Sequence, residues 1–140
     1  MTPIPETVGF NLVKLCKQYF YALNSVLNPL NLYEGQQNVL LQLWEEDGLP
    51  QAELTRRLGI EPASVSKGIE RMENAGFIQR RPSPDDARAN GIFLTELGRS
   101  LQEPVNKVWF EVEEKLLANM TSEERLLLRR LVLQMRENLK

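Results

Sequence analysis

The chain has 140 residues, 17 Lys and Arg against 19 Asp and Glu, one cysteine and no histidine. That is the size of one domain with a real core, and 42% hydrophobic with 26% charged residues is the make-up of an ordinary globular protein. The missing histidine excludes a Ser-His-Asp triad, a histidine metal cage and an imidazole pH switch, while the lone Cys16 excludes a zinc knuckle or internal disulfide and suggests a reducing compartment.

Val8, Leu12, Leu15, Tyr19, Leu23 and Val26 recur at steps of three and four, one stripe of a long first helix. It should end before Asn28-Pro29, because a residue preceding proline avoids helical angles. A second helix is expected from about Asn31 to Glu46, with Asn31 and Glu34 as a capping box and Asp47-Gly48 as its stop. Its apolar side is Val39, Leu40, Leu43 and Trp44. A short third helix spans roughly Pro50 to Leu58 and stops at Gly59. Pro62 fits the first position of a fourth, which runs to Asn74 and stops at Gly76.

Phe77–Arg81 and Gly91–Thr95 read as two strands around a loop from Pro82 to Asn90. A long helix follows, with Leu97, Leu101, Val105, Val108, Val112 and Leu116 in register and Pro104 expected to kink it. Thr121 and Glu124 form a capping box that opens a leucine-rich last helix. The chain is thus mainly α with a small β-hairpin wing. Residues 31–95 have the order of a winged helix-turn-helix, flanked by helices at 1–30 and 96–140 that such a unit does not need for itself. No run approaches the ~20 apolar residues of a membrane span, and the start Met1-Thr-Pro-Ile-Pro lacks the order of a signal peptide, so a cytoplasmic protein is expected.

On a helical wheel Val65, Ile69 and Met72 of the fourth helix share one narrow sector, the expected buried side. Opposite them fall Ala63, Ser64, Lys67, Glu70, Arg71 and Asn74. Short hydroxyls, Lys, Arg and Asn on an outer helix face can reach phosphates and base edges in a major groove. Ser64 lies in the first turn, where free amides favour a phosphate, and Gly68, beside the buried sector, should allow close helix packing. Arg80 and Arg81 on the first strand and Arg88 at the hairpin tip form a second basic cluster. Arg88 suits a narrow A·T-rich minor groove, and Asp86 could hold its guanidinium. Residues 50–95 carry seven Lys and Arg against six Asp and Glu, net +1; the remainder carries ten against thirteen, net −3. The overall −2 therefore hides a mildly basic reading unit.

Leu54-Thr-Arg-Arg-Leu-Gly-Ile60, Ser64-Val-Ser-Lys67 and Arg71-Met-Glu-Asn-Ala-Gly-Phe-Ile78 resemble the helix-turn-helix run of the MarR family of bacterial transcriptional regulators. Arg80 to Ala89, followed by Leu94-Thr95 and Gly98, resembles its wing, and Asp86-x-Arg88 is the most specific element. The resemblance implies a homodimer built by the outer helices, bound to a pseudo-palindromic operator on double-stranded DNA. Ser64, Ser66, Lys67 and Arg71 would then be groove or backbone contacts, with Arg88 the wing-tip contact and Asp86 its partner. Asp86-Ala87-Arg88 stands where many relatives have Asp-Arg-Arg, and Tyr33, Pro50 and Glu61 stand where better helix caps are usual.

The family commonly senses a small amphipathic or phenolic ligand, and some members sense hydroperoxides through a cysteine in the first helix. Cys16 is the candidate for that role here, although Leu12 and Phe20 on either side suit a small packed residue equally. Trp44, Trp109, Phe110, Phe20 and Tyr21 could line a ligand crevice or a plain core. An adaptor that has kept the fold and lost DNA reading is a second reading. An enzyme is not expected, no cofactor is implied, and Asp85-Asp86 is a poor metal cage.

Overall fold

The structure, a computed structural model, describes residues 1–33, 35–82 and 90–140. Helix α1 (Val8–Leu27) starts where the Thr7 hydroxyl accepts from the Phe10 amide at 3.2 Å. It ends where expected, as Asn28–Leu30 tighten into a 3-10 turn around Pro29. The second helix departs from expectation. Asn31 is not its cap: it lies in the left-handed region (φ 63°) and closes the 3-10 turn. Helix α2 begins only at Gln36 and runs to Glu45. Gln36 performs the reach-back expected of residue 34, accepting from the Tyr33 amide at 3.1 Å; Glu34 itself lies outside the described residues.

Three strands form the sheet instead of two. β1 (Leu49–Pro50) and β2 (Ile78–Pro82) flank β3 (Asn90–Leu94), all antiparallel, with Leu49 opposite Ile92 and Arg80 opposite Ile92 on the other side. Between β1 and β2 the chain makes α3 (Gln51–Leu58) and α4 (Pro62–Asn74), joined by a turn through Gly59 at φ 64°. Leu40, Leu43, Leu54, Ile69, Met72 and Ile92 are all but inaccessible and lock α2, α3, α4 and the sheet into one core. Each such side chain contributes about 1.5–3 kcal/mol over leaving it in water.

A set of directional contacts fixes the sheet to the helices. The Thr95 hydroxyl caps α5 (Glu96–Ser100) by accepting from the Gly98 amide at 3.1 Å, and it donates to the Gly76 carbonyl beyond α4. The Thr95 amide donates to the Phe77 carbonyl at 3.0 Å. Gly98 packs so closely on that same carbonyl that an added Cβ would run into its oxygen. The Gly98 carbonyl in turn accepts from Trp44 Nε1 at 3.1 Å. Asp47 accepts from the Leu94 amide at 2.8 Å and pairs with Arg99 at 2.9 Å. Leu94-Thr95-x-x-Gly98 is therefore a weld between α2, the end of α4 and the base of the wing.

Pro104 does more than kink its helix. It has no N–H for the Ser100 carbonyl, so helicity breaks at Leu101 and resumes as α6 (Gln102–Leu116). Leu101, Val105 and Val112 of the expected stripe are buried, and α6 packs on α1. Helix α7 (Ser122–Asn138) opens on the expected capping box: the Thr121 hydroxyl accepts from the Glu124 amide, and the Glu124 carboxylate accepts from the Thr121 amide. No residue of α7 is buried.

Candidate nucleic-acid interface

Helix α4 turns Val65, Ile69 and Met72 into the core, as its periodicity predicts. Ala63, Ser64, Ser66, Lys67, Glu70, Arg71 and Asn74 are all exposed. Two expectations fail at this helix. An added Cβ at Gly68 would meet open space, so Gly68 is not a packing glycine; it lines an open cleft with Ser64, Lys67, Arg71, Gln36 and Ile60. The Ser64 amide is not free either, since it donates to the Glu61 carbonyl at 3.0 Å. Pro62 has no N–H at all, so the hydroxyl, not an amide nest, is what Ser64 offers.

Gln51, at the start of α3, donates from Nε2 to Ser66 Oγ at 2.8 Å. Glu46, Glu53, Arg56 and Arg57 form a chain of ion pairs along the outer side of α3. Hydrogen bonds from Arg56 and then Arg57 hold the Glu53 carboxyl down at about 2.

Arg80 and Arg81 are both engaged within the protein. Arg80 Nε pairs with Glu73 of α4 at 2.7 Å. The Arg81 guanidinium lies 3.9 Å above the Phe93 ring, a cation–π contact. Phe93 covers Gly48 and Gly91, where any side chain would strike the ring. Asp86 and Arg88 lie outside the described residues.

Gln51, Phe93 and Glu73 were not candidates on sequence. Their partners are distant along the chain or on another element, and no periodicity marks them. The aromatic candidates do not converge as a set: Trp109 and Phe110 line one small pocket, Tyr19 meets Trp109 edge-on at 6.4 Å, Trp44 bonds Gly98, and Phe20 and Tyr21 are exposed. Cys16 is exposed, which removes the packed-residue reading within one chain. Among the described residues there is no group of three or more His, Cys, Asp or Glu able to hold a metal, and no helix long and apolar enough to cross a membrane.

The stretch that matches the MarR family model, residues 32–89, takes in the helix-turn-helix run and the first strand of the wing. The HTH-type transcriptional regulator YwoH of Bacillus subtilis is 32% identical over 102 residues, covering 73% of this chain and 74% of YwoH. The chain belongs to the MarR family. Its members are transcriptional regulators, not enzymes. A second HTH-type transcriptional regulator, YdgJ of the same organism, is 30% identical over 106 residues, 76% of this chain but 65% of YdgJ, so the chain spans just under two thirds of that protein.

Among solved MarR-like structures, a probable transcriptional regulator from Pseudomonas aeruginosa superposes with a TM-score of 0.85 at 26% identity, covering 95% of this chain and 99% of that one. E. coli MarR complexed with operator DNA gives 0.84 at 22%, with coverage of 96% and 99%. BpsR of Bordetella bronchiseptica, whose DNA binding is regulated by 6-hydroxynicotinic acid, gives 0.86 at 20%, with 97% of each chain covered. The last two likenesses speak to fold. The small sheet and surrounding helices seen here are the winged-helix architecture of these regulators.

Proposed function

We propose that this MarR regulator is a cytoplasmic homodimeric repressor that binds a pseudo-palindromic operator and is released by a small amphipathic or phenolic ligand. The observation that carries the DNA reading is the exposed face of α4, mounted on a buried apolar side. That face would enter a major groove with Ser64, Ser66, Lys67, Arg71 and Asn74. Arg80, Arg81 and Arg88 of the wing would follow the backbone and the flanking minor groove, with Asp86 directing Arg88. The operator-bound E. coli relative supports this geometry. Arg80 would exchange Glu73 for a phosphate on binding, while Arg81 can keep its ring contact and add a phosphate at its edge.

Residues 1–30 and 96–140 are assigned to dimerisation. Val13, Phe20 and Tyr21 of α1 and Leu126, Leu127 and Leu131 of α7 are exposed apolar side chains that a single chain leaves in water. Two copies related by a two-fold axis would cover them and set two α4 helices about one DNA turn apart. The ligand assignment rests on an apolar pocket of about 230 Å³ lined by Leu41, Val105, Trp109 and Phe110, and the 6-hydroxynicotinic acid response of BpsR supports it.

A mobility-shift titration of promoter DNA against salt tests the reading. Affinity should fall steeply with salt, and Lys67→Ala or Arg88→Ala should each lower the slope of log K against log salt by about 1. Salt-independent binding, or none to any promoter including that of its own gene, would overturn it. A cysteine-based release remains a second reading because Cys16 is exposed. Hydroperoxide that releases DNA from the wild type and equally from Cys16→Ser sinks that version.

A further inference from the structure

A serine hydroxyl can donate or accept, so by itself it reads either class of base edge in a major groove. At Ser66 that choice is biased. The Gln51 amide nitrogen, 2.8 Å from Ser66 Oγ, can only donate, so the serine oxygen accepts. Gln51 opens α3 half-buried, and its backbone carbonyl accepts from the Thr55 hydroxyl one turn later at 2.9 Å, which anchors the helix start from which the amide reaches. With one of its two lone pairs used, the hydroxyl cannot aim its proton at the amide, which leaves that proton for another acceptor.

We propose that Gln51 biases Ser66 toward donating a hydrogen bond to an acceptor oxygen of the operator, making Gln51 a positioning residue for sequence recognition. This rests on the operator-binding reading above. The acceptor is either a base keto oxygen (guanine O6 or thymine O4) or a phosphate oxygen. Replacing Gln51 by Glu puts an acceptor-only carboxylate at the same place. It should draw the serine proton inward and present lone pairs to the DNA, reversing the polarity of the contact with little change in shape.

Both residues sit on the surface of their helices, so the variants fold. Duplexes are first selected from a random pool by the wild type. Dissociation constants are then measured for the wild type, Ser66→Ala, Gln51→Ala, Gln51→Glu and the Ser66→Ala/Gln51→Glu and Ser66→Ala/Gln51→Ala pairs, on the selected duplex and on each single base-pair change. Ser66→Ala and Gln51→Ala should each weaken binding about five- to tenfold, the worth of one hydrogen bond, and their combination no more than Ser66→Ala alone. If a base is the partner, Gln51→Glu moves the preference at one position per half-site from guanine or thymine to adenine or cytosine, and only while Ser66 is present. If a phosphate is the partner, Gln51→Glu weakens all duplexes alike, again only while Ser66 is present. A Gln51→Ala loss that persists in full without Ser66, or a harmless Ser66→Ala, overturns the proposal and leaves operator binding standing. Failure of the wild type to select any duplex overturns both.

Discussion

The winged unit has ten leucines and valines among residues 31–95 and the outer helices have 22 in the rest of the chain, and the two regions use them differently. In the unit from α2 to the sheet, Leu40, Leu54, Ile69, Met72 and Ile92 are fully enclosed. Directional bonds through Thr95, Gly98, Trp44 and Asp47 then fix how the elements meet. In α7 nothing is buried, and Leu126 is 72% exposed; in α1 only the last two turns reach the core, and Tyr21 is 81% exposed. One region is finished within a single chain. The other leaves apolar side chains in water that the proposed dimer would cover. In that dimer two finished units on a shared hub would change their spacing without refolding either one.

The largest effect that can break this contrast should come from Gly98→Ala. The new methyl must displace the Phe77 carbonyl, which also receives the Thr95 amide, and it disturbs the carbonyl that takes the Trp44 indole proton. A loss of about 3 kcal/mol is expected in urea unfolding, at the upper end for overpacking because backbone rather than side chain must yield. An unfolding curve within 0.5 kcal/mol of wild type would show that the weld is not what holds the unit together.

Leu131→Glu tests the other side. In one chain Leu131 is exposed, so the fold should be intact by circular dichroism, while each dimer would bury two new carboxylates at an apolar face. Dimer association should weaken at least tenfold in sedimentation equilibrium, on the order of 1.4 kcal/mol. Wild-type association with unchanged affinity would remove α7 from the interface. The two variants together separate the regions: one should unfold without a specific effect on association, the other dissociate without unfolding.

How much of this was readable in advance follows from the range of each interaction. Periodicity gave the buried side of α4, and the Thr121–Glu124 box marked the start of α7, because both signals lie within one or two turns. The start of α2 was misplaced because Asn31 satisfies a cap pattern but is taken up by the turn that Pro29 imposes. β1 is two residues long and exists only through pairing with β3, some forty residues on. Trp44 and Gly98 are 54 residues apart, Asp47 and Leu94 47, so the weld was invisible as a unit even though its Leu-Thr-x-x-Gly part was recognisable. Gly68 was misread because glycine beside a buried sector suits either close packing or an open cleft, and only the surroundings decide. At the interface, composition and spacing marked which residues face outward, while the internal partners that aim them, Gln51, Glu73 and Phe93, needed the fold.

The smallest expected effect asks whether surface charge contributes to the finished region at all. Glu53 accepts from Arg56 and Arg57, and Arg57 reaches on to Glu46 at the end of α2, so the network ties α2 to α3 across the surface. Those guanidinium hydrogen bonds hold the Glu53 carboxyl at about 2, below its ordinary 4.5. A carboxylate depressed on folding stabilises the native state above its unfolded value, and that contribution is lost as pH falls from about 4.5 through about 2. The group is open to solvent, so screening makes the contribution small. Glu53→Gln should therefore lower the urea midpoint slightly at pH 7, and the two proteins should converge as the wild type is acidified to pH 2. Added salt should shrink the pH 7 difference in the same direction. A difference that neither acid nor salt diminishes would mean that Glu53 acts through packing, and that the winged unit is held by its core and welds without help from its surface charges.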